Sequence, residues 1–270
     1  MEFLLYLLVG ALSGMLAGLF GIGGGLIITP ILIFFLSAQG IGIDLNTHLA
    51  LGTSLSVIIF TSISAVISQN KRGAVNWAFF SWMALGICLG ALVGAYTAAL
   101  LSGPILQKII AVFVFSMAAR LLYSAYKTKE VSITKKNTAT SQSLLVIAGA
   151  IIGWASAIFG MGGGALTVPF LTSRGLTMQQ AAGTSSACGL PIAIAGSIGY
   201  LFAGWGLPEL PKWSLGYIYL PGLIGIALTS TLFARVGVNI AHRLSSRLLQ
   251  IMFAIFLICV GTSFLVGIGQ

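Results

Sequence analysis

Negative charge is almost missing from this chain. Of 270 residues only four are acidic, against thirteen Lys and Arg and two His. The four are Glu2, Asp44, Glu130 and Glu209, and all fall near the N-terminus or in polar stretches between apolar runs. Ionisable side chains inside membrane helices mark ion and proton pathways. A sequence without a carboxylate in any apolar run therefore speaks against a carboxylate proton relay, and it offers no oxygen cluster for a divalent metal. His48 and His242 stand at segment ends and are expected at the interface rather than as ligands. The three cysteines, Cys88, Cys188 and Cys259, lie in separate apolar runs. Their spacing makes neither a metal motif nor an obvious disulfide, so core packing is the expected role. No His or Lys stands beside a serine at membrane depth, which speaks against an intramembrane hydrolase. No catalytic residue, metal site or cofactor is expected, and the chain does not read as an enzyme.

Charge of either sign is scarce as well. Charged residues make up 6% and apolar residues 58% of the chain, with mean hydropathy +1.07. A water-soluble domain carries about 25% charge, so this composition specifies an all-α polytopic membrane protein in a lipid bilayer. The net charge of +9 does not indicate nucleic acid, because the basic residues sit in short loops between apolar runs, as in cytoplasmic loops facing anionic lipid. The only early charge is Glu2, whereas a signal peptide needs a basic start; the first apolar run is expected to be a retained helix.

Ten apolar segments are present, at residues 3–20, 26–36, 49–67, 76–100, 104–126, 143–159, 165–173, 180–203, 213–235 and 246–268. The second and seventh are too short to span a bilayer, which takes about 20 residues. Both directly follow a glycine run: Gly21-Ile22-Gly23-Gly24-Gly25 and Gly160-Met161-Gly162-Gly163-Gly164. Long run, break, short run is the pattern of a glycine-broken or re-entrant helical hairpin. Each glycine run is followed five residues later by proline, Pro30 or Pro169. Either the short helix begins at that proline, with Thr29 capping the first copy, or it begins at the last glycine and carries the proline inside.

Landmarks recur in the same order. Ala50-Leu51-Gly52-Thr53-Ser54 matches Ala181-Ala182-Gly183-Thr184-Ser185, Trp77 with Gly86 matches Trp213 with Gly222, and Leu106-Gln107 matches Leu249-Gln250. The chain thus divides into a first membrane repeat (1–126), a basic linker (127–142) and a second membrane repeat (143–270), with five apolar segments in each repeat. Orientation follows from charge. With Lys71, Arg72, Arg120, the linker lysines (127, 129, 135 and 136), Arg174, Arg235, Arg243 and Arg247 in the cytoplasm, eleven of the thirteen Lys and Arg are inside. Only Lys108 and Lys212 are then outside, and both termini are expected there too. Five segments per half is odd, so the halves are expected to be inverted repeats, an architecture of secondary transporters with the site near the midplane.

Unwound backbone is tolerated in hydrocarbon only where protein or a water-filled cavity covers it. The candidate site is therefore the pair of glycine runs: Gly21, Gly23, Gly24 and Gly25 with Gly160, Gly162, Gly163 and Gly164. Each would offer free N–H groups and the positive end of a short helix to an anion. Thr53, Ser54, Thr184 and Ser185, with Ser186 beside them, could add hydroxyl donors; equally they could bond their own backbone or join helices. Gly10, Gly14 and Gly18, spaced by four, are read as helix-packing positions. Trp77, Trp205 and Trp213 flank loops and read as interfacial anchors. Neither glycine run carries the Lys-Ser/Thr of a nucleotide loop.

The paired G-x-G-G-G…P segments, each followed by A-x-G-T-S, resemble the sulfite exporter TauE/SafE family over essentially the whole chain. The resemblance implies an inner-membrane carrier of a small sulfur-containing anion such as sulfite, sulfoacetate or thiosulfate. An anion channel, or a carrier of a different small anion, would share the architecture. Direction, coupling ion and oligomeric state are not legible in the sequence.

Overall fold

The computed structural model describes residues 2–20, 24–126, 141–241 and 246–266. Gly21 and Gly23, residues 127–140 of the linker (with Glu130 and the linker lysines), His242 and Arg243 lie outside the described residues. The elements are α1 (Glu2–Phe20), α2 (Gly25–Ala38), α3 (Ile43–Lys71), α4 (Trp77–Ala99), α5 (Gly103–Tyr126), α6 (Gln142–Ile158), α7 (Gly164–Ser173), α8 (Met178–Ala203), β1 (Ser214–Leu215), β2 (Ile218–Tyr219), α9 (Leu220–Ala241) and α10 (Ser246–Val266). Among the described residues four helices (α3, α4, α5 and α8) are long and apolar enough to cross a membrane. Together with the shorter apolar helices they make an all-α membrane protein. On α4, Leu85, Leu89, Val93 and Tyr96 form an exposed stripe at helical spacing, the face such a helix turns to lipid.

One segment and two cysteines differ from expectation. The ninth apolar run does not start as a helix at Trp213: residues 214–219 form a two-stranded antiparallel hairpin pairing Ser214 with Tyr219 and Leu215 with Ile218, and α9 begins only at Leu220. Trp213, at positive φ, stands exposed beside that turn, as Trp77 and Trp205 also stand exposed. Cys88 and Cys259 are exposed on the helix bundle, and of the three cysteines only Cys188 packs in the core.

Helices of the first half pack on helices of the second in matched pairs. α1 lies along α9 as α4 lies along α6, while α3 meets α8 and α5 meets α10. Exchanging the first five helices for the last five maps these pairs onto one another. Apolar burial adds little drive between helices in lipid, so close backbone approach through small residues takes its place. A Cβ on Gly10 would fall 2.7 Å from Ile226 Cα, and one on Gly14 would fall 2.5 Å from Ser230 Cα. Likewise a Cβ on Gly153 would lie 2.5 Å from the Ile87 carbonyl oxygen on α4. The packing expected of Gly10 and Gly14 is what the structure has.

α3 and α8 form the centre. α3 meets α2, α5, α8 and α9, and α8 meets α3, α4 and α7. α2 is apolar and mostly covered by protein: Leu26–Pro30, Leu32, Ile33 and Leu36 are buried, while Phe34 is exposed.

Candidate functional site

The two hairpin helices begin at the last glycine of each run. Gly24 (φ 81°) is the N-cap of α2 and Gly163 (φ 76°) is the N-cap of α7. Both are in the left-handed region that side chains disfavour. Of the two starts open from sequence, the later one with Thr29 as cap does not occur, and Pro30 and Pro169 lie inside their helices. The second run is described in full. α6 ends at Phe159 in a Schellman motif, with Gly160 N–H on the Ala157 carbonyl (3.3 Å) and Met161 N–H on the Ser156 carbonyl (2.9 Å). Met161 and Gly162 then pass to the N-cap. In each hairpin the third and fourth N–H groups of the short helix bond the cap carbonyl, Gly24 O or Gly163 O. The two N–H groups ahead of them, Gly25 with Leu26 and Gly164 with Ala165, have no carbonyl of their own helix to reach.

The runs touch. A Cβ on Gly25 would sit 2.5 Å from the Gly160 carbonyl oxygen and 2.6 Å from Met161 Cα, so hydrogen is the only substituent that fits there. The same Gly160 carbonyl accepts the Ser54 hydroxyl at 3.0 Å and the Thr29 hydroxyl at 3.3 Å. Ser54 is one of the sequence candidates. Thr29, considered from sequence only as a cap, instead joins the halves.

Thr53 and Thr184 are drawn to another place. Thr53 Oγ1 accepts the N–H of Tyr219, the residue before α9, and Thr184 Oγ1 accepts the N–H of Asn76, the residue before α4; both distances are 2.9 Å. The preceding glycines complete the match. A Cβ on Gly52 would collide with the Tyr217 carbonyl, and one on Gly183 would lie 2.6 Å from the Ala74 carbonyl. Each G-T pair thus clamps the chain entering the fourth helix of the other half. Ser186 bonds the Ala182 carbonyl one turn back at 3.0 Å.

Among the described residues of the second half, three buried hydroxyls on helices have no partner, Ser156, Thr167 and Ser185, besides that of Ser214 on β1. Sequence reasoning singled out only Ser185. Leaving a buried hydroxyl unpaired costs about 1–3 kcal/mol, and such exceptions in native proteins call for an explanation. A Cβ on Gly163 would lie 3.2 Å from Thr167 Oγ1 and 3.6 Å from Ser156 Oγ, so two of the three converge over the α7 N-cap. Ser185 is on α8, one turn before Gly189, where a Cβ would sit 2.9 Å from the Gly162 carbonyl. The one available signal was the comparison of repeats: at the positions of Ser156 and Thr167 the first copy has Ala17 and Ile28.

His48 is turned inward rather than to lipid or water. It is buried, with Nδ1 2.6 Å from the Asp44 carbonyl and Nε2 3.0 Å from the Ala98 carbonyl, and its ring stacks on Tyr217 at 5.0 Å. Asp44 lies not in a loop but in the first turn of α3. Its carboxylate accepts the Gly103 N–H at 2.8 Å, capping α5 from outside. Among the described residues no group of three His, Cys, Asp or Glu could hold a metal ion.

Among the described residues, Gly24, Gly25 and residues 160–164 stand among backbone groups, the hydroxyls of Thr29, Ser54, Ser156 and Thr167, and the apolar ends of Leu51, Ile58 and Ile192. The family model described as sulfite exporter TauE/SafE matches residues 6–264. A probable membrane transporter protein of Haemophilus influenzae is 40% identical over 257 residues, covering 95% of this chain and 96% of its own length. Similar probable membrane transporter proteins occur in Methanocaldococcus jannaschii (29% identical, 94% of this chain and 93% of its own) and Bacillus subtilis (25%, 97% and 96%). The match spans both glycine runs and both G-T-S motifs, and the chain belongs to the TauE/SafE family of membrane transporters.

Proposed function

We propose that the protein is a secondary carrier of a small sulfur-containing anion such as sulfite, sulfoacetate or thiosulfate. It would work across the inner membrane, through a midplane site formed where the two glycine runs meet. The observation that carries the reading is that meeting: Gly25 against Gly160, with α2 and α7 both starting there from left-handed glycines. Helix N-termini with unspent N–H groups hold anions without a buried cation, and a site made of dipoles and hydrogen bonds binds loosely enough to release. In this reading residues 1–126 and 143–270 are inverted repeats joined by a cytoplasmic linker at 127–142, with both termini outside. The matched pairing of α1 with α9 and α4 with α6 supports a two-fold relation, and the odd segment count supports inversion. The two G-T clamps hold each half's third helix to the other half, and in this reading the site would be exposed alternately to the two sides of the membrane.

The test is transport of sulfite, thiosulfate and sulfoacetate by the purified protein in proteoliposomes, with counterflow to distinguish a carrier from a channel. Gly24→Asn, Gly24→Asp, Gly163→Asn and Gly163→Asp then probe the site, because Asn tolerates the left-handed region about as well as Asp. Asp is expected to weaken binding beyond Asn at both positions by about 1–3 kcal/mol, the repulsion between like charges in a partly desolvated cavity. Equal losses for Asn and Asp, with melting temperatures lowered in step, would leave the glycines a packing role only.

A further inference from the structure

The two halves do not bring equal chemistry to their meeting point. In the first half the hydroxyls nearest the glycine runs are spent, since Thr29 and Ser54 both donate to the Gly160 carbonyl. In the second half Ser156 and Thr167 are fully buried and unpartnered. Both lie within 3.6 Å of the point where a Cβ on Gly163 would sit, over the start of a ten-residue helix. The terminal methyl of Ile192 crowds that same point. It is the far end of a side chain, so a ligand entering there has only that methyl to push aside.

A vacated space of this kind is lined by two O–H donors and the open N–H end of α7. Hydroxyls can serve a cation as well as an anion, but the positive end of the helix dipole decides between them. No carboxylate is among the atoms nearest that point to accept a proton from the ligand. The fitting ligand is therefore an oxyanion whose oxygens are all unprotonated and can accept several hydrogen bonds at once. The first half cannot supply the same pair, because Ala17 and Ile28 stand at the matching positions.

We infer that the anion site is lopsided: the hydroxyls of Ser156 and Thr167, set over Gly163, donate to the oxyanion, which displaces the Ile192 methyl, while the first half supplies no side-chain donor at its matching positions. The inference rests on the anion-carrier reading above and deepens it. Thr29 and Ser54 then serve to fix the Gly160 turn that shapes the second-half site.

The test is equilibrium binding of radiolabelled thiosulfate and sulfite to the purified full-length protein in detergent, with thermal melts in parallel. Ser156→Ala and Thr167→Val are each expected to weaken binding about 10- to 100-fold, the weight of one hydrogen bond to a charged group. Neither should lower the melting temperature, since neither hydroxyl has a protein partner to lose. Thr167→Ser should bind as the wild type does, because the hydroxyl is kept. Wild-type binding together with an unchanged affinity in the Ser156→Ala/Thr167→Val double variant would overturn the lopsided site and leave the carrier reading standing. Equal losses of binding and melting temperature in Thr167→Val and Thr167→Ser would make the position a packing residue and overturn it as well. A wild-type protein that binds neither anion saturably would remove the sulfur-oxyanion reading and this inference together.

Discussion

The hydroxyl of Thr53 on α3 accepts the backbone N–H of Tyr219, at the entry to α9, over 2.9 Å. A bond between residues 166 positions apart has its counterpart in Thr184 and Asn76, and each pair crosses between the halves. Both acceptors belong to the repeated G-T-S. The motif therefore has a mechanical meaning: glycine lets the opposite chain come close, and threonine holds it there by a backbone N–H that no side-chain change on that chain short of proline removes.

Removing either hydroxyl is expected to destabilise the fold. Thr53→Val or Thr184→Val keeps the shape but strands a backbone N–H, at a cost of about 1–3 kcal/mol each. Thr→Ser at either position should recover most of the loss. Thermal melts of the four variants in detergent read this directly. Unchanged melting in both valine variants would mean the clamps are not part of what holds the halves together.

Tyr217 is expected to give the protein an alkaline limit. It lies in the turn between β1 and β2, stacked on His48. Burial first, and the Asp44 charge second, push its phenol above the ordinary value of 10.0. A group whose folded pKa is raised stabilises the fold below its unfolded pKa, and that contribution disappears as pH rises through the folded value. Melting temperature should therefore drop steeply above about pH 10, less steeply in Tyr217→Phe, and with an intermediate slope in Asp44→Asn. The same Asp44→Asn protein is expected to keep most of its transport, because Asp44 caps α5 and does not reach the glycine runs. A wild-type alkaline slope in Tyr217→Phe would assign the limit to another group.

Orientation is open to a direct measurement. Reporters active only in the cytoplasm or only in the periplasm, fused at either terminus, should find both ends outside. Insertions beside Lys71 and Arg243 should report the inside. A cytoplasmic N-terminus would end the inverted-repeat reading, and with it the approach of the hairpins from opposite faces.

Composition and periodicity were enough for the membrane class, for eight of the ten apolar segments to within about two residues of their helices, and for the two hairpin breaks. Each of these follows from a local cost: charge in hydrocarbon, backbone without hydrogen bonds, or consecutive glycines in a helix. The ninth segment is placed too early in sequence because an apolar hairpin and an apolar helix look alike until Trp213 is seen at positive φ. The repeat made the G-T-S motifs visible, yet it could not say what the threonines hold, since Tyr219 and Asn76 contribute only backbone and backbone leaves no trace in residue identity. His48 looked interfacial for the same reason: its partners are the carbonyls of Asp44 and Ala98. Tertiary structure alone set Gly25 against Gly160 and left Ser156 and Thr167 without partners. Whether a buried hydroxyl is spent or free depends on which distant groups come within about 3 Å of it, and one-dimensional order does not carry that distance.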